Sequence, residues 1–353
     1  MTARTSRVLT RPTRVAETLA DRYAGVVCDL DGVVRRGAQA VPYAVERLTA
    51  LQVPVVYATN NASLTPQDVA DQLLGLGLPV GPANVVTSSQ AGAAHVASLF
   101  PAGSRVLAVG GPGVTAALAE AGLSPVDTAE HGVAAVLQGY GADVTAALLA
   151  EASYAIENGA TWVATNLDAT LPTARGIAPG NGALLGAVAT ATGVQPSAAT
   201  GKPEPPLYDL SVARLGVPKP AVLAIGDRLD TDILGAMNAG LDSLWVLTGV
   251  DDLVSFARAP DRPAPTYAAR DLRALSRPPM VPTHVDDHWL CGRVRLVVDW
   301  GGGTATVEGL DRDDDLDALV AAGTAALVHG RDVGDVPVET LTRVATTVAA
   351  RLG

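Results

Sequence analysis

Four short stretches of this 353-residue chain carry side chains that could do chemistry together. The first is Asp29-Leu30-Asp31-Gly32, two carboxylates on alternate positions followed at once by glycine. The others are Thr59-Asn60-Asn61, Lys202-Pro203, and Gly226-Asp227-Arg228-Leu229-Asp230-Thr231-Asp232. A lone aspartate after a strand is most often a turn former. Here Asp29, Asp31, Asp227 and Asp232 all fall where strands should end, and carboxylates gathered in one cleft repel each other unless a cation lies among them. Oxygen ligands with no His or Cys nearby select a hard ion, Mg²⁺ by default. One such carboxylate can attack phosphorus while a second protonates the leaving oxygen and a metal and a fixed cation neutralise the phosphoryl oxygens. Lys202, one of only two lysines in the chain, is the candidate for that cation.

Residues so far apart in sequence need a frame that brings strand ends to one edge. Residues 24–30 (AGVVCDL) read as a buried strand ending in a turn, 41–52 as a helix and 53–59 (VPVVYAT) as a second buried strand. The same alternation returns with a helix over 202–217, a strand over 221–227, a helix over 231–241 and a strand over 242–249. Such βαβ units predict a doubly wound parallel α/β core, which holds ligands outside the carboxyl ends of its strands. Between the two halves lie about 140 residues with their own alternation, with strands over 84–88, 104–110, 134–140 and 161–166. That is enough for an inserted second α/β domain. After about residue 256 the composition turns to Pro, Arg and Ala, as in a linker or meandering edge. A hairpin about Gly301-Gly302-Gly303 and helices over 312–328 and 337–352 then predict a small α+β domain. The expected boundaries are 1–86 and 191–276 for the core, 87–190 for the insertion and 277–353 for the C-terminal domain.

Composition narrows the partners. With 48% hydrophobic residues the chain can build real cores, and its formal charge of −11 disfavours nucleic acid and anionic membrane surfaces. Cys28 and Cys291 match no metal or redox spacing, and two thiols cannot scaffold a chain of this size, which favours a reducing compartment. The first 23 residues read as a loose Arg-bearing leader and a short helix, and no apolar run approaches the roughly 18 residues of a membrane span. The expectation is a cytoplasmic protein without membrane insertion, acting on a small phosphorylated metabolite. A second copy of the chain, meeting it through the inserted or the C-terminal domain, is the one macromolecular partner left open.

The four stretches, in this order, resemble the motifs of the haloacid dehalogenase (HAD) phosphatase superfamily. The insertion is similar to the large α/β cap of its class IIA, on Ala164-Thr165-Asn166-Leu167-Asp168, Leu171-Pro172 and Pro179-Gly180-Asn181-Gly182-Ala183. The resemblance spans about residues 20–260 and implies roles for the residues. Asp29 would be the nucleophile and a Mg²⁺ ligand. Asp31 would act as general acid, then base, and offer its backbone carbonyl to the metal. Thr59 and the backbones of Asn60 and Asn61 would hold phosphoryl oxygens, and Lys202 would neutralise phosphate and orient Asp29. Asp227 would complete the metal site with Asp232 in support, leaving Asp230 solvated. Substrate choice would lie in the cap, around Asp168 and Thr170. Phosphoglycolate-preferring members carry an arginine where this chain has Thr170, a neutral hydroxyl, with Arg175 displaced. A missing arginine clamp argues against an obligate carboxylate substrate. With its tail, the chain is similar to actinobacterial glycerol-3-phosphate phosphatases. Phosphoglycolate, pyridoxal phosphate or nucleotide hydrolysis, or phosphotransfer to another alcohol, are the alternatives.

Weaker signals have blander readings. Gly111-Pro112-Gly113-Val114-Thr115-Ala116 has a dinucleotide-like spacing, yet reads better as a tight turn of the insertion. The 331–336 segment faintly resembles an acetyltransferase pyrophosphate loop, and the C-terminal domain reads as a truncated module used for packing or dimerisation. His95, His131, His284, His288 and His329 form no ligand spacing. Asp311, Asp313, Asp314 and Asp315 read as a solvated helix start, and Trp289 and Trp300 as core.

Overall fold

Val-rich runs bounded by turn residues become buried parallel strands. Gly25–Cys28 is buried along its length and pairs in parallel with Val222–Gly226 on one side and Val55–Thr59 on the other. The whole sheet runs Tyr267–Ala269, Asp242–Val246, Val222–Gly226, Gly25–Cys28, Val55–Thr59, Val85–Thr87, all parallel. Val26, Cys28, Tyr57, Leu223 and Ile225 join one apolar cluster. Their strand neighbours Val27, Val56, Ala58, Val222 and Ala224 join another on the opposite face, so the sheet is covered on both sides, as parallel sheets must be. This computed structural model describes residues 17–129, 132–173, 175–259, 261–332 and 336–352. Most of the leader, His131 and the middle of the 331–336 segment lie outside the described residues.

The insertion forms a second parallel sheet, ordered Ala198–Ala199, Thr161–Ala164, Val133–Gln138, Arg105–Val109, Ser124–Val126. A separate antiparallel hairpin, Thr170–Thr173 with Gly176–Pro179, hangs from it. The strand expected over 84–88 is not the first of this domain. Val85–Thr87 pairs instead with Tyr57–Thr59 and closes the edge of the core sheet. The helix that follows, Ser88–Leu99, serves both bodies, with Ala91 in a core cluster and Ala93 and Val96 in a cap cluster. At the other end the cap sheet extends to Ala199, past the expected boundary at 190.

The Pro-rich stretch after residue 256 hides the edge strand Tyr267–Ala269. Edge strands tolerate nearby proline because one side needs no partner. Beyond it, Thr283–Val285, His288–Cys291, Val294–Asp299 and Thr304–Glu308 form an antiparallel sheet packed by helices Asp313–Asp332 and Val338–Ala349. Trp289 is buried there, stacked on His284 with 4.3 Å between ring centres, and His329 lies 4.8 Å from His284.

The acidic run at the head of the first of these helices is only in part a solvated start: Asp311 and Asp313 keep more than half of their side chains exposed, whereas Asp315 is buried. Asp313 takes hydrogen bonds of 2.8 Å from both Arg270 and Arg273, and Asp315 accepts the backbone N–H of Asp311 and Arg312. Asp317, almost fully buried, takes a 2.6 Å bond from Arg277. Charges that sequence alone places in water are drawn into a seam by three arginines of the core edge. The seam is backed by one apolar cluster that mixes Leu229, Ile233, Trp245 and Phe256 of the core with Trp289, Leu296, Leu319 and Val348 of the tail. Among the described residues no helix is long and apolar enough to cross a membrane.

Candidate active site

All four motif stretches emerge at the carboxyl edge of the central strands. Asp29 follows Gly25–Cys28, Thr59 ends Val55–Thr59, and Asp227 follows Val222–Gly226. Lys202 arrives just ahead of helix Pro205–Leu215, its amide held by the side-chain oxygen of Asn60 at 2.8 Å. Asp232 lies within the tight turn Leu229–Ile233 and folds back over Gly226, which leaves no room for a side chain there.

Lys202, only 3% exposed, bonds Asp29 Oδ1 and lies 2.7 Å from Asp232 Oδ1 and 3.2 Å from the carbonyl of Ala58. Carboxylate oxygens of Asp29, Asp227 and Asp232 all fall within 4.8 Å of one another. Three acids against one ammonium leave excess negative charge in a dry place. Burial, and then Asp232, push Asp29 well above the usual carboxylate range, with Lys202 opposing. Burial and Asp232 likewise raise Asp227 to about 7. Burial works against the Lys202 charge, but Asp232 and Asp29 outweigh it and hold the ammonium well above its ordinary value.

The donor set fits a divalent cation. Among the described residues Asp227 Oδ1 is buried with no hydrogen-bond partner, while its Oδ2 accepts the Val250 N–H at 2.6 Å. Buried carboxylate oxygens are rarely left alone, and an all-oxygen trio suits a hard ion. Gly32 and Gly249 both face the Asp227 carboxylate so closely that a Cβ on either would collide with it. At Gly32 the backbone also takes φ +93°, open to glycine and costly for other residues.

Asp31 lies outside the trio. Its carboxylate is 63% exposed and pairs with Arg35 Nε at 3.0 Å. The Thr59 hydroxyl accepts the Asn61 N–H at 3.1 Å, and the Asn61 side chain caps Ser63. The Asn60 side chain is a clamp: its amide donates to the Lys202 carbonyl at 2.9 Å and to Asp168 of the cap at 3.2 Å. The Asn60 backbone carbonyl also accepts from the Asn166 side chain of the cap. Burial raises the Asp168 carboxyl, with the Asn60 hydrogen bond opposing. Thr170 opens the exposed cap hairpin, two residues beyond Asp168. Asp230, expected to be solvated, is 41% exposed and outside the trio, and it is also paired with Arg228 and Arg262.

The loop Thr248-Gly249-Val250 escaped the sequence reading. Thr248 Oγ1 donates to the Gly32 carbonyl at 2.7 Å, Arg36 donates to the Thr248 carbonyl, and Val250 reaches Asp227. Its only trace in sequence is a glycine after a buried strand. The Gly111-Pro112-Gly113 turn faces protein: Gly113 N–H donates to the Ser63 carbonyl at 3.0 Å, and a Cβ there would meet the Ala62 carbonyl at 2.6 Å. It seats the cap against the loop after Thr59, where no dinucleotide phosphate could approach.

An acid at a strand end, a buried lysine and a carboxylate trio on a doubly wound sheet define a capped hydrolase. A family profile for haloacid dehalogenase-like hydrolases matches residues 26–124, and a second for HAD-like hydrolases matches 199–275. The chain belongs to the haloacid dehalogenase-like hydrolases and is a phosphatase of that family. It is 41% identical over 305 residues to the D-glycerol 3-phosphate phosphatase of Mycobacterium tuberculosis, covering 86% of this chain and 83% of that protein. It is 38% identical over 256 residues to the acid sugar phosphatase of Staphylococcus aureus, covering 71% and 96%. The crystal structure of glycerol phosphate phosphatase from Mycobacterium tuberculosis in complex with calcium superposes with a TM-score of 0.79 at 39% identity, over 89% of this chain and 91% of that one. The magnesium complex gives 0.78 at 38%, over 89% and 93%.

Proposed function

We propose that this chain is a cytoplasmic Mg²⁺-dependent phosphatase that converts glycerol 3-phosphate to glycerol and phosphate through an aspartyl-phosphate on Asp29. The observation that carries the reading is the buried group of Asp29, Lys202, Asp227 and Asp232, with one Asp227 oxygen unpartnered. Mg²⁺ held by Asp29, Asp227 and the Asp31 carbonyl, with Asp232 behind them, would polarise the phosphoryl oxygens and offset the crowded negative charge. Lys202 holds Asp29 at one oxygen and leaves the other to attack phosphorus. Thr59 and the backbone of Asn60 and Asn61 border the phosphoryl group. Asp31 gives its proton to the departing alkoxide, then takes one from the water that cleaves the acyl phosphate.

The glycerol moiety is favoured by the neutral Thr170 on the cap hairpin and by the two Mycobacterium tuberculosis comparisons. Asp168, held at the cap–core junction by Asn60, offers oxygen acceptors suited to hydroxyls and repels a second anionic group. Phosphate release across a panel of monoesters, with Mg²⁺ and with chelator, tests the reading. Glycerol 3-phosphate is expected to give the highest kcat/KM and to need the metal. A higher value for phosphoglycolate, pyridoxal phosphate or a nucleotide would replace the substrate, and metal-independent turnover would end the reading.

A further inference from the structure

We infer that Arg35 is a positioning residue for Asp31: its buried guanidinium takes one carboxylate oxygen and thereby presents the other to the leaving oxygen of the substrate. The inference rests on the phosphatase reading above and concerns a residue to which the sequence motifs assign no task. Arg35 is only 8% exposed, unusual for an arginine. Its neighbour Arg36 is exposed and reaches out to the Thr248 carbonyl. The Arg35 stem is held by backbone at two points, since its own N–H donates to Leu30 at 3.0 Å and its carbonyl accepts the Gly32 N–H at 2.8 Å. These bonds close the turn that carries Asp31. At its far end, Arg35 Nη1 donates to Gln72 Oε1 at 2.5 Å. Gln72 sits on helix Pro66–Gly75, itself fixed by a reciprocal cap between Thr65 and Asp68. A planar guanidinium can be pinned at one nitrogen and still aim another, which an ammonium cannot do.

What this device supplies is orientation. Asp31 is 63% exposed, and an aspartate at such a surface ordinarily samples several rotamers. The Arg35 Nε bond to Oδ1 fixes one, and among the described residues Oδ2 has no hydrogen-bond partner. In the first step Asp29 forms a bond to phosphorus and the P–O ester bond breaks, its electron pair staying on the alkoxide oxygen. That oxygen takes the proton carried on Asp31 Oδ2 and leaves as a neutral alcohol, with Asp31 left as the carboxylate. Misaim of Oδ2 slows this transfer only where the leaving oxygen needs the proton.

Leaving-group dependence is therefore the test. The quantity is kcat/KM, which reports steps up to transfer of the phosphoryl group to Asp29. It is measured for glycerol 3-phosphate, or whichever alkyl ester the panel ranks first, and for p-nitrophenyl phosphate, whose nitrophenolate departs unprotonated. Arg35→Met is expected to lower the alkyl-ester value about tenfold to a hundredfold, and the nitrophenyl value by less than about threefold. Gln72→Leu should move the ratio the same way by less, and Arg35→Lys should recover part of the loss. Should Arg35→Met fail to fold, Gln72→Leu decides by the same ratio. Equal losses on both esters, the mark of a purely structural role, overturn the inference, as does an unchanged alkyl-ester value. A wild-type protein that cleaves neither ester removes the phosphatase reading and the inference with it.

Discussion

The core cluster and the cap hairpin are built to opposite standards. Lys202, Asp227 and Asp232 are at most 3% exposed, and each is tied to another charge or a backbone amide of the cluster. The hairpin from Thr170 to Pro179 faces outward, with Ile177 79% exposed. In the cluster, changing one group leaves its partners charged and dry, so the cost spreads. On the hairpin, a side chain can change without disturbing a neighbour. On the proposed function, chemistry is held where substitution is expensive, and selectivity where it is cheap.

The sharpest attempt to break this contrast is Asp29→Asn, which removes the attacking charge with little change in shape. Turnover should fall by at least about ten-thousandfold in a phosphate-release assay. Retained activity would strip the cluster of its chemical role. Lys202→Met leaves three carboxylates without their cation and should cost about 3 to 5 kcal/mol of stability at pH 8 by denaturant titration. The deficit should shrink at pH 5, where Asp227 is protonated in the folded state. A deficit independent of pH would mean that packing, rather than charge, explains the lysine.

The third test uses metal. A carboxyl whose folded value is raised binds a proton that the unfolded chain has released, so the metal-free protein loses stability as pH climbs from about 4 through 7, where Asp227 titrates. A cation needs those carboxylates ionised. The rise in Tm on adding Mg²⁺ should therefore be larger at pH 8 than at pH 5, by several degrees in thermal melts. Equal shifts at both would place the ion elsewhere. The smallest effect belongs to the cap: Thr170→Arg should raise the phosphoglycolate to glycerol 3-phosphate ratio of kcat/KM about fivefold to tenfold, the worth of one partly exposed charged hydrogen bond. No change would move selectivity off this hairpin.

The layered α/β core was legible because buried parallel strands leave continuous Val-rich runs, and the acids at their ends stand out as chemistry where an apolar side chain would pack better. The pairing of Val85–Thr87 was not, since a short apolar strand carries no mark of which sheet it will join. Nor were Arg35, Asn60 as a clamp, or Thr248-Gly249-Val250, whose importance lies in what they touch across the chain. Asp313 misled for a related reason. Local charge reads as exposure, and only the fold supplies Arg270, Arg273 and Arg277 opposite it.

One consequence concerns the tail. Leu229 and Ile233 belong to the same tight turn as Asp232, and they pack in a cluster completed by Trp289, Leu296, Leu319 and Val348. The catalytic half has therefore surrendered part of its outer wall to the last seventy or so residues. Cutting that tail away would leave a sticky face directly behind the turn that carries Asp232, and would take Asp313 and Asp317 from the arginines opposite them.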